Sequence, residues 1–294
     1  MSEQNGRYHT YHAEAGVLHA RLQLPLVQEI KPQAFTKLPE RGGYLSQHAH
    51  NYQLEGVISF RTAYTQVAGN SDVKPGHGFS TVSTAVIEDL NVLDVVTADR
   101  VVAQISTEHP RVGYVPHISF LGTRFENLRI AGHKVDLDLD CDFLGPRADD
   151  DSAYTGNHEL MKKIVAQSKH AEGIEPFPDD TFDGYYLDLP GAHDPEVEDP
   201  DYEESLECSL VNNARLDQGD DSYPGKCFNH VIDVPNFGKI HLATLRVKHG
   251  QFQKGTGVPK QTTVDLSMVK MKLGCFAAGT AALVGTRTNG GSHP

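Results

Sequence analysis

Val135, Leu137, Leu139, Cys141 and Phe143 alternate without a break with Asp136, Asp138, Asp140 and Asp142. A repeat of two cannot lie on one face of a helix, whose period is 3.6, but it divides cleanly across a pleated strand. This run predicts a strand over Val135 to Phe143 with one apolar face and four aspartates on the other. Cys141 then reads as a small core residue.

The same chemistry recurs along the chain. Tyr44 to Phe60, Phe79 to Val86, Val92 to Ile105, Leu206 to Val211, Phe228 to Val234, Ile240 to Val247 and Val264 to Leu273 are rich in Val, Ile, Thr and aromatic residues. Such side chains suit a half-buried pleated surface. In the last run the apolar parity switches between Met268 and Val269, as at a β-bulge. Ile87-Glu-Asp-Leu90-Asn-Val92-Leu is echoed by Phe125-Glu-Asn-Leu128-Arg-Ile130-Ala, 38 residues later, which predicts two similar hairpins in one sheet system.

One helix is expected, over Asn157 to Glu172. Asn157 serves as its cap, Glu159 sits at its positive end, and Leu160, Met161, Ile164 and Val165 form a stripe. Beyond it, residues 172–207 hold 14 of the 39 acidic residues and no Lys or Arg, so the net charge of -13 resides almost wholly there. Five prolines interrupt this stretch, and Phe177, Phe182, Tyr185, Tyr186 and Leu187 suit docking on another surface. The expected fold is therefore all-β, a sandwich or barrel, with one helix and an acidic irregular insertion. Residues 1–148 form a β-rich part, 149–207 the insertion, and 208–294 a β-rich part completing the same domain.

Several functions lack their signatures. No G-x-S-x-G elbow, G-x-G-x-x-G turn or phosphate-binding G-x-x-x-x-G-K-[ST] loop occurs. No basic face is available to displace counterions from nucleic acid. No apolar run reaches the length of a membrane span, and the N-terminus lacks a secretory signal, so the expected location is cytoplasmic, with leaderless export as the alternative. Cys141, Cys208, Cys227 and Cys275 form no C-x-x-C pair and are expected to be reduced, a Cys208–Cys227 bridge being the alternative on export.

Two constellations point to metals. His48 and His50 project from one face of a strand, close enough to share a divalent transition metal; the alternative is a pair of solvated or hydrogen-bonded histidines. The aspartate row at 136, 138, 140 and 142 places like charges roughly 6.5 to 7 Å apart. Neighbours then repel by about 0.6 kcal/mol in water, which calcium would relieve. The alternative is a charged face that resists edge pairing.

Gly42, His48-x-His50 and Glu55 at these spacings resemble the first motif of the cupins. That resemblance implies a small barrel holding a transition metal through His48, His50, Glu55 and His77. Thr62 stands where the motif closes with glycine, and the second motif is matched only loosely around Gly69 to Gly78. Across its length, through residues 44–50, 91–110, 120–133 and 237–247, the chain also resembles an uncharacterised family of bacterial hypothetical proteins. That family implies no activity.

The leading expectation is a non-enzymatic, β-rich structural or binding protein without a cofactor, whose partner is itself. A cupin-like metal-dependent enzyme and a calcium-stabilised surface protein are the alternatives.

Overall fold

The computed structural model describes residues 8–22, 28–54, 56–71, 78–172, 202–217, 223–273 and 279–293. These residues form two antiparallel sheets. In pairing order the first runs Lys226–Phe228, Val231–Val234, Gly238–Gln253, Val258–Leu273, Gly279–His293, Tyr8–Val17 and Gln33–Lys37. Glu203–Ser209 also pairs with Gly238–Gln253. The second runs Val211–Leu216, His133–Leu139, Arg129–Ile130, Val96–His109, Phe79–Val92, Ile58–Ser71 and Gly43–Leu54.

Tyr8–Val17 and Gly279–His293 lie over the middle strands of the second sheet. The facing side chains are small, with Ala13, Ala15, Ala63, Ala85 and Ala103 all buried, so the layers approach closely. Among the described residues neither sheet closes on itself. The fold is a sandwich, and the barrel implied by the cupin resemblance is not formed.

The parity switch at Met268 is a coordinated kink. Thr244 pairs with Ser267 and Leu242 with Val269, while Ser267 pairs with Gly285 and Val269 with Leu283. Ala243, Met268 and Val284 are thereby passed over together, and all three are buried. Ala243 and Val284 take φ values of 45° and 55°. An ordinary bulge sets two residues against one. Here each of three strands spares one residue, so the register survives and the same face stays on the core.

The second sheet repeats the device. Asp89 and Asn127, equivalent in the two echoed segments, take φ values of 53° and 50°. The hairpin turns that follow are also equivalent: Leu93 and Asp94 have φ 52° and 55°, and Ala131 and Gly132 have 49° and 83°. A third copy precedes them, for Asn51 (φ 51°) and Gly56 (φ 73°) lie another 38 residues upstream. Paired positive φ values at tight hairpin turns match the twist of the flanking strands.

The helix spans His158–Glu172. Asn157 Oδ1 accepts the amides of Glu159 and Leu160, both at 3.1 Å. Leu160 and Ile164 are buried and Met161 packs against the core. Val165 is 40% exposed and falls outside the stripe expected of it. Gln167 fastens the helix to the sheets, donating to the carbonyls of Ser209 and Val211 and accepting the amide of Ser209. Asn157→Ala is expected to lower stability by about 1 kcal/mol, the usual worth of an N-cap, measured as a shift in the urea midpoint. The docking segment Phe177 to Leu187 lies outside the described residues.

A candidate interaction edge

Gly43–Leu54 ends the second sheet. It pairs with Ile58–Ser71 on one side, and among the described residues no strand pairs with its other side. Its 12 residues, GYLSQHAHNYQL, include no Lys, Arg, Asp, Glu or Pro. They extend for about 40 Å at 3.3 Å per residue. Tyr44 is 62% exposed and Leu45 is 42% exposed.

Sheet edges normally carry charge, proline or little length, because their unpaired amides and carbonyls are templates for another strand. The other outer strands among the described residues obey this. Lys226–Phe228 has three residues, Gln33–Lys37 has five and ends on the Lys37–Glu14 ion pair, Val211–Leu216 contains Arg215, and Glu203–Ser209 contains three glutamates. Asn51, with its positive φ, interrupts the pairing of Gly43–Leu54.

On this strand Ala49 and Tyr52 pack towards the core, Tyr52 stacking on Phe60 with ring centroids 5.0 Å apart. His48 and His50 face away from the first sheet, opposite Tyr64 and Thr62. Both imidazoles are exposed, and their rings lie parallel within 10° with centroids 6.3 Å apart. Tyr64 backs His48 at 5.8 Å and accepts a 2.8 Å hydrogen bond from Arg100. The structure thus brings His48 and His50 together. Glu55 and His77 lie outside the described residues. Among the described residues no third His, Cys, Asp or Glu joins the pair.

The aspartate row is divided. The strand His133–Leu139 stops before its expected end at Phe143, and Asp140 begins a turn in which it accepts the amide of Asp142 at 3.0 Å. Phe143 is still buried, reached through the turn. Asp136 pairs with Lys134 at 2.6 Å, Asp138 accepts from Asn212 at 2.8 Å, and Asp140 lies 3.5 Å from Lys163. Cys141 is half-buried at the core margin, where burial pushes its thiol pKa up. Asp151 accepts from Arg147, and Asp150 is held by Ser152.

A cleft of about 500 Å³ lies on the first sheet, its lining including Glu14, Phe35, Arg246, Asp265, Lys270 and Arg287. Its charges are internally matched: Arg287 pairs with Asp265, while Arg246 and Lys270 share Glu207. No helix among the described residues is long and apolar enough to cross a membrane.

Residues 9–248 match the family model described as Domain of unknown function (DUF8256). The chain belongs to that family. This DUF8256 member carries the edge strand, the histidine pair, the aspartate row and the helix within the matched span, whereas Val258–Leu273 and Gly279–His293 lie beyond it. The match accords with the resemblance to an uncharacterised family. Neither a curated protein nor a solved structure matches the chain.

Proposed function

We propose that the protein is a non-enzymatic β-rich structural protein that self-associates by pairing Gly43–Leu54 with the same strand of a second copy. The observation that carries this reading is the contrast among sheet edges. Among the described outer strands the longest, Gly43–Leu54, carries no charged side chain and no proline. A second copy can add its strand antiparallel, supplying backbone partners to amides and carbonyls that no strand pairs with among the described residues. The chain is strongly acidic overall, but the charge lies chiefly in residues 172–207, so the edges themselves meet without like-charge repulsion. We place this assembly in the cytoplasm, in keeping with the free thiols of Cys141, Cys208 and Cys227.

The test is the mass in solution of the full chain and of a Ser46→Lys/Gln47→Lys variant, by sedimentation across a concentration series. Both side chains are exposed, so the variant retains the β spectrum of the parent. Charge on the edge is expected to weaken association at least tenfold. A parent that stays monomeric throughout the series, or a variant that associates equally well, would overturn the reading.

A further inference from the structure

The edge strand also carries the one close pair of exposed imidazoles among the described residues, and antiparallel pairing multiplies it. In an antiparallel ladder, residues directly opposite share a face, with Cα atoms 4.5–5.5 Å apart. When two copies of Gly43–Leu54 pair about a two-fold axis at Ala49, His48 of each copy faces His50 of the other. Four imidazoles then stand at the corners of a rectangle measuring roughly 5 by 7 Å. We propose that this cluster binds a divalent transition metal, zinc in the simplest case, so that His48 and His50 from two copies hold one ion and the metal sets the register of the assembly. The inference rests on the self-association proposed above.

Three observations support it. The two rings of one copy already lie side by side on the outward face, with centroids 6.3 Å apart. Placing each ring nitrogen 2.0–2.1 Å from one tetrahedral ion draws them together by roughly 1 Å, within reach of exposed side chains free to change rotamer. Second, one copy supplies only two ligands among the described residues, and a structural zinc site takes four, so the partner's pair completes the set. Third, Ser46, Gln47, Asn51 and Gln53 give the edge a polar composition that specifies register weakly. A slip by one residue puts the two pairs on opposite faces and a slip by two leaves only one histidine opposite its counterpart, so an ion held by all four selects the pairing centred on Ala49.

The experiment follows association of the full chain by sedimentation, in EDTA and with zinc added in steps, for the parent and for His48→Ala and His50→Gln. Zinc is expected to tighten the dimer at least tenfold, saturating at one ion per two chains. Cobalt(II) in its place should give the visible absorption of a four-coordinate nitrogen site. Each variant should lose the zinc response and keep the association seen in EDTA. A dimer equally tight with and without zinc would overturn the metal inference and leave the edge pairing standing. A zinc response that survives in both variants would place the ion elsewhere and overturn it too. A chain monomeric under every condition would overturn the inference together with the reading beneath it.

Discussion

Lowering the pH from 7 to 4 is expected to unfold the protein, with stability falling from about pH 6.5 downwards. His230 and His249 are 2% and 0% exposed. Burial is the main cause that pushes each imidazole down to about 3, with nearby His241 adding to the effect on His230. His249 is fixed as a neutral ring, its Nε2 accepting the amide of Tyr154 at 3.0 Å and its Nδ1 lying 3.0 Å from the Thr262 hydroxyl. Above pH 6.5 both folded and unfolded chains hold these rings neutral, and no penalty arises. Below it the unfolded chain takes up protons that the folded chain refuses, so stability drains as pH falls towards the folded values. At about 1.36 kcal/mol per unit, each ring costs about 3 kcal/mol by pH 4. Two together cost about 6 kcal/mol, comparable with the whole stability of many domains. His9 adds to the trend: burial lowers it to about 4, and its ring stacks on Phe79 at 4.3 Å. The chain has no Trp, so urea midpoints followed by circular dichroism at successive pH values give the profile. His249→Gln should flatten it by about 3 kcal/mol between pH 6.5 and 4. A midpoint unchanged from pH 7 to 4.5 would contradict the burial of these rings.

Asp151→Ala is expected to cost about 3 kcal/mol. The carboxylate is 17% exposed and accepts from Arg147 at 2.7 Å, from the Tyr114 amide at 2.8 Å and from the Val115 amide at 3.3 Å. It pins the crossing at 110–116 to the approach to the helix. Truncation removes the acceptor shared by two amides and by a guanidinium that is itself three-quarters buried, and each loss of this kind costs about 1–3 kcal/mol. Asp151 also has φ 63°, a conformation that alanine adopts less readily than Asp or Asn. Asp151→Asn should therefore lose about half as much, since it keeps the backbone conformation and an acceptor for the amides. Equal losses in the two variants would show that the charge alone matters.

Local patterns were legible where neighbours in sequence decide them. The helix was readable because Asn157, Leu160 and Ile164 follow one another at helical spacings of three and four residues. The hairpins were readable because the echoed residues repeat the positions that take positive φ. The third copy at Asn51 was hidden, since His50 replaces the glutamate that marks the other two. The end of the strand at Leu139 was also obscured: the turn after it buries Phe143 in phase with the alternation, so the pattern runs on after the ladder stops. Long-range pairing left no trace in composition. Tyr8–Val17 joins Gly279–His293 with Tyr8 opposite His293, a contact set by packing of the whole sandwich. The status of Gly43–Leu54 as an edge has the same origin. Its lack of charge was readable, but the side on which no described strand pairs with it is a property of the sheet.

Amide hydrogen exchange over Gly43–Leu54, compared at low and high protein concentration, tests the edge pairing most directly. Pairing with a second copy predicts that alternate amides of this strand, those turned away from Ile58–Ser71, become protected as concentration rises, while amides of Phe79–Val92 stay protected throughout. Exchange along Gly43–Leu54 that is fast at those same amides and independent of concentration would contradict it.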